Sequence, residues 1–224
     1  PRRRAAWDNP HDSHGIPRHP YGADCPESCG LGKVTIERLI QAVPPPADPM
    51  EPFTGPWAPV EAYLGTELPQ DYKDLVRLYG RGRFLEFLYV NLPGSPERRG
   101  SLEGELGLAR EMINYGMPVP YPAWPEPGGL LNFGLTDFND RLFWLRRGEP
   151  SDWRIVVWDR AFQKLETFDC DLTDFLAGLA TGEITPEGFS GRTPVNRVFE
   201  PSHGAPGLAW PERPRDVRGS EVEI

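Results

Sequence analysis

Apolar residues recur at helical spacing three times in the first third of the chain, then give way to strand-like runs. Ile36, Leu39, Ile40 and Val43 form the first stripe, with Thr35 placed to cap it and Pro44 to Pro46 placed to stop it. The proline-rich stretch from Pro44 to Pro56 reads as an extended connector. Trp57, Val60 and Leu64 form the second stripe, closed by Gly65 in the left-handed region. Pro69 opens the third, in which Tyr72, Leu75, Val76 and Tyr79 share one face and Gly80 is the stop. The run from Phe84 to Val90, FLEFLYV, alternates too poorly for a surface helix and reads as one mostly buried strand.

A turn-rich segment follows, and the spacing of Leu102, Leu106, Ala109 and Ile113 predicts a helix from Ser101 to Tyr115, ended by Gly116. In PVPYPAWPEPGG, residues 118–129, proline alternates with aromatic or apolar residues. Such a backbone is held extended and cannot donate to a sheet at its prolines, so it reads as a tether across the surface. Strands are predicted at Leu130 to Phe133, Arg141 to Leu145 and Arg154 to Trp158, with a fourth within Phe162 to Phe168. Asn139 and Asp140 suit the first connection and Gly148 to Pro150 the second, and connections this short make neighbours antiparallel. Asp169 or Asp171 then caps a last helix with Leu172, Phe175, Leu176 and Leu179 on its stripe and Gly182 at its end. This order predicts an α+β domain, with N-terminal helices and a C-terminal helix on one face of a mainly antiparallel β-sheet.

The 224 residues suit one domain with tails: a leader at 1–33, a folded domain at 34–199 and a flexible tail at 200–224. The leader holds His11, His14 and His19 along with Cys25 and Cys29, and has no hydrophobic period. Thiolates and imidazoles make zinc sites, but the Cys-x-x-x-Cys pair has no second pair to complete a tetrahedral set, so no metal and no cofactor is expected. Residues 1–33 are therefore expected to be a disordered leader or translated upstream sequence. No apolar run reaches the roughly 18 residues of a membrane span and no secretion signal is visible, so the expectation is a cytoplasmic protein with no membrane partner. A net charge of −9 opposes binding to nucleic acid and favours a basic protein partner. Arginine outnumbers lysine 21 to 3, which reflects a GC-rich genome more than a selected surface.

Enzyme signatures are sparse, with no nucleophile elbow, phosphate loop, zinc-protease motif or complete dinucleotide fingerprint. No catalytic residue is therefore assigned. Asp137 and Asp140 are the best carboxylate pair, though aspartates in a turn more often accept backbone hydrogen bonds. Cys170 lies between Asp169 and Asp171, whose charges disfavour a thiolate. Acidic residues gather between Asp137 and Asp174, several at turns on what reads as one edge of the sheet, and can form either a solvated rim or a docking surface. On the docking reading the partner contacts are Asp137, Asp140, Glu149, Asp152, Asp159 and Trp124, the last lying in the Pro-rich tether. Trp57, Trp144, Trp153 and Trp158 fall in predicted elements and are expected in the core, whereas Trp210 lies in the tail.

Leu64, Gly65, Leu68, Pro69, Tyr72, Tyr79, Gly80 and Gly82, followed by Gly134, Thr136, Asp137, Trp153, Val156 and Val157, carry a pattern that resembles the SUKH superfamily, the SMI1/KNR4-like domains. The resemblance runs from about Val34 to Phe199. It implies the same α+β fold and a role in binding without chemistry, because bacterial members are mostly implied to be immunity proteins of toxin systems and fungal ones interaction hubs in cell-wall regulation. The expected function is therefore neutralisation of a cognate toxin domain, with a basic nuclease as one form. A regulatory module with an endogenous partner is the second reading, and a carboxylate-dependent hydrolase using Asp137 and Asp140 the third.

Overall fold

The computed structural model describes residues 22–23, 36–94, 100–189 and 196–202. The readings for Thr35, for Cys25, Cys29 and the histidines beside them, and for Trp210 lie outside those residues, as does most of the proposed leader and tail. Among the described residues, no helix is long and apolar enough to cross a membrane.

Seven strands form an antiparallel sheet: β2 (Gly82–Phe84), β3 (Leu88–Val90), β4 (Leu130–Thr136), β5 (Arg141–Leu145), β6 (Arg154–Asp159), β7 (Lys164–Phe168) and β8 (Phe199–Pro201). With the two-residue β1 (Gly22–Ala23) the order is β1-β7-β6-β5-β4-β3-β2-β8, and β1 alone pairs parallel. Among the described residues five helices accompany it: α1 (Glu37–Ala42), α2 (Ala58–Leu64), α3 (Gln70–Tyr79), α4 (Leu108–Asn114) and α5 (Leu172–Thr181). The predicted α+β class holds. The expected boundary at Phe199 falls inside β8, which runs on to Pro201.

The tyrosines of the Leu-Pro-x-x-Tyr helix show how the layers are joined. Tyr72 and Tyr79 are fully buried on α3, and their hydroxyls donate to Asn91 O at 2.7 Å and Val43 O at 2.6 Å. Each ring thus buries its apolar body while its polar tip is satisfied. Gly80 follows with a φ of +67°, and a Cβ there would meet Met50 O at 2.2 Å. Only glycine fits that stop. At the other end of the domain Asp171 caps α5, accepting from Asp174 N at 2.7 Å, and Gly182 closes the helix with a φ of +80°.

Three predictions need correction. FLEFLYV is a tight hairpin, not one strand: Leu85 and Glu86 take φ of 54° and 69°, and Phe87 N donates to Phe84 O at 3.1 Å. A turn whose two central residues both have positive φ normally calls for Asn-Gly. Leu85 is 1% exposed, and its burial holds a turn that no local residue announces. The helix from Ser101 to Tyr115 is broken, because Ser101 is held in a bridge to Leu92 in which Leu102 N donates to Leu92 O, and a short 3₁₀ turn at Glu103–Glu105 precedes α4. Gly104 and Gly107 both weaken helix there. Ile113, placed on the buried stripe, is exposed, and Met112 is buried instead.

The helices also do not share one face. Leu131, Phe133, Leu142, Trp144, Ile155 and Val157 point to the core under α1, α2, α3 and α5. Leu130, Phe143, Leu145, Val156 and Trp158 point to the other side, where α4 and the stretch from Met117 to Ala123 cover them. A sheet covered on both faces explains why β4 and β5 are buried at every position and carry consecutive apolar residues, Leu130–Leu131 and Leu142–Leu145, in place of strict alternation.

Candidate partner-binding surface

Turns of an antiparallel meander fall at alternate ends of its strands, so the acidic turns cannot line one edge. Asp137, Asp140 and Asp159 lie at the end where β4 passes to β5 and β6 to β7. Glu149 and Asp152 lie at the opposite end, in the loop from β5 to β6. Separation by the length of a strand rules out a single patch formed by all five.

At the first end, three turns are tied together. Asp137 N donates to Phe87 O at 2.8 Å, which joins the β2–β3 turn to the β4–β5 turn. Asp140 is 1% exposed; its Oδ2 accepts from the Thr136 hydroxyl at 2.7 Å and its Oδ1 from Arg160 N at 3.1 Å, which joins the β6–β7 turn. Asp159, also buried, accepts from Ala161 N at 2.7 Å and Phe162 N at 3.4 Å. Asp140 and Asp159 are therefore buried braces, and their carboxylates point into the protein. Asp137 is half-buried, 3.5 Å from Arg83 Nη1, while Arg83 Nη2 also reaches Glu200 at 2.5 Å. Those partners keep the Arg83 guanidinium charged, the Glu200 hydrogen bond foremost. Beside it the Tyr89 phenol is pushed up, mainly by burial and then by its hydrogen bond to Asp137.

What this braced end presents outward is apolar. Phe138 is 50% exposed and Phe162 68% exposed, each at the tip of its turn, and Val198, whose carbonyl accepts from Leu85 N, is 37% exposed. Glu86 and Arg160 flank them. Rigid, exposed aromatics set among charges are the composition of an interface core with a polar rim. The sequence reading missed both phenylalanines; the available signal was a large aromatic among turn residues, where burial is not expected.

The remaining expected contacts stand elsewhere. Glu149 and Asp152 are exposed and bond reciprocally across a short 3₁₀ turn. Trp124 is half-buried against the main core, and its Nε1 donates to Leu64 O at 3.0 Å, so the tether closes the end of α2. Trp144, Trp153 and Trp158 are core, and Trp57 packs on it partly buried. Cys170 also packs on the main core. Among the described residues, no group of three or more His, Cys, Asp or Glu is arranged to hold a metal ion.

No curated protein and no solved structure matches the chain. The family described as SUKH_6, SMI1-KNR4 cell-wall, matches residues 56–176, which spans α2, α3, the central strands and the first half of α5. That span covers more than half of the sequence and includes the buried tyrosines, the stops at Gly65 and Gly80 and all three braced turns, and on it the chain belongs to the SUKH SMI1-KNR4 cell-wall family.

Proposed function

We propose that this protein is a binding domain without chemistry of its own, that the three-turn end receives a protein partner, and that the partner is a cognate toxin domain which the chain neutralises by covering it. The observation that carries the reading is the pair Phe138 and Phe162, exposed at 50% and 68% on turns that Asp140 locks together. Ordering those turns costs nothing at binding, because the braces are already made. Membership of a generally non-catalytic family supports the absence of chemistry. A chain of net charge −9 attracts a basic partner, such as a nuclease domain, and speeds its approach.

Co-expression of the full chain with the product of the neighbouring gene tests this reading, with growth rescue and co-purification as readouts. Rescue with a stable complex is the expected result. The double variant Phe138→Ser, Phe162→Ser should change stability by less than about 0.5 kcal/mol, as exposed substitutions do, yet lose rescue. Rescue undiminished in that variant removes the three-turn end from the interface. The matched family's description as cell-wall favours a second reading, a regulatory module with an endogenous partner. An isolated gene and no complex with any neighbouring product would move the assignment there.

A further inference from the structure

The opposite end of the strands holds a cleft with an unusual imbalance of donors. It has a volume of about 210 Å³ and lies between Thr66 and Glu67, which connect α2 to α3, and the β5–β6 loop, which contributes Arg146, Glu149 and Trp153. Arg146 Nε and Nη1 and Trp153 Nε1 are buried, and none of the three has a hydrogen-bond partner in the protein. The Trp153 side chain belongs to a residue only 5% exposed, and the Arg146 guanidinium lies over its ring at 5.5 Å. Elsewhere in the domain several guanidinium groups meet carboxylates: Arg38 with Asp174 and Glu183, Arg81 with Glu51, Arg83 with Glu200, Arg154 with Asp169. Arg146 meets none, and burial lowers its pKa.

Buried donors left without acceptors are costly, those of a charged group most of all. The nearest carboxylates do not supply the want. Glu149 is committed to the Asp152 N–H in the reciprocal cap, and Glu67 is exposed at the mouth. A ligand that completes this site must bring acceptors only, must be anionic, and must be compact. Glu67 and Glu149 at the rim weigh against a dianion such as phosphate and leave a monoanion.

We propose that this cleft is a carboxylate-binding site, in which Arg146 and the Trp153 indole N–H receive the carboxylate of a peptide C-terminus or of a free small acid. The site is independent of the three-turn end and does not rest on the toxin reading.

Two-dimensional ¹H–¹⁵N NMR on the full chain reads the donors directly. Sodium acetate should shift the Trp153 Nε1–H and Arg146 Nε–H resonances saturably, whereas sodium chloride at the same ionic strength should not. Arg146→Gln should weaken acetate binding at least tenfold while leaving the melting temperature unchanged or raised. Acetyl-Gly-Gly with a free C-terminus binding tenfold more tightly than acetate, and its C-terminal amide not binding, assigns the peptide terminus. Equal affinity for the peptide and acetate assigns a small acid. An absence of saturable shifts with every carboxylate, or shifts of equal size with chloride, overturns the proposal in the wild-type chain alone, whatever the fate of the variant.

Discussion

Replacing Asp71 by Asn tests how the last helix is seated. Asp71 belongs to α3 and is 3% exposed. Its Oδ2 accepts from Leu172 N at 2.8 Å and Thr173 N at 3.2 Å, so a side chain of one helix satisfies the first turn of another, 101 residues away. Burial first, and the Asp171 carboxylate second, push its pKa from 3.8 up to about 7, against the pull of those backbone donors. The folded chain therefore holds a proton that the unfolded chain has released between about pH 4 and 7. Stability must fall as pH rises through that window, fully intact below the unfolded value and fully reduced above the folded one. The interval, at about 1.4 kcal/mol per pH unit, sets a ceiling of about 4 kcal/mol. Asn keeps one acceptor oxygen and carries no charge at any pH. Urea melts of both chains at pH 4.5, 6 and 8 should show Asp71→Asn gaining about 2–4 kcal/mol on the wild type between the extremes. The reasoning is refuted by a difference that stays flat with pH, or by a wild type that gains on the variant as pH rises. Either result means that the helix N–H groups outweigh burial and that Asp71 ionises like an ordinary aspartate.

The braced turns and the sheet interior give further expectations. Asp140→Ala leaves the Thr136 hydroxyl and Arg160 N–H without their acceptor and should cost about 3 kcal/mol in a denaturant melt, against under about 1 kcal/mol for half-exposed Asp137→Ala. Gly134→Ala places a Cβ 2.6 Å from Tyr89 O between β3 and β4; a loss of about 2–3 kcal/mol is expected, and a neutral result would show that these strands can move apart. Glu86→Gly relieves a φ of 69° in the β2–β3 turn and should raise stability by up to about 1 kcal/mol, read as a higher denaturation midpoint.

Much of the architecture was legible where local chemistry and global packing agree. Gly65, Gly80 and Gly182 mark helix ends that the fold uses, and of the two aspartates that sequence offered as the last cap, Asp169 and Asp171, it is Asp171 that caps α5. The legibility fails where a long-range contact decides a local shape. Nothing in FLEFLYV announces a turn, because the burial of Leu85 and its bond to Val198 hold it. The break before α4 has the same origin, since Leu92 captures the chain at Leu102 from a distance. The candidate surface was half visible. Acidic turn positions could be named from sequence, but sheet connectivity decides which turns share an end, and burial decides that Asp140 and Asp159 face inward while Phe138 and Phe162 face out.

The two outermost strands, β1 and β8, lie beyond the span that matches the family, and each lies against a strand near the edge of the sheet. They act as selvedges on a woven cloth. A fragment cut to residues 56–176 would lose both, along with the second half of α5, and would leave the β2 margin with its row of free backbone N–H and C=O groups. Such a margin recruits whatever strand is nearest, including that of another copy. The smallest piece of this protein whose sheet margins stay covered is thus set by how that sheet is hemmed, and it extends well past the residues by which its kinship is recognised.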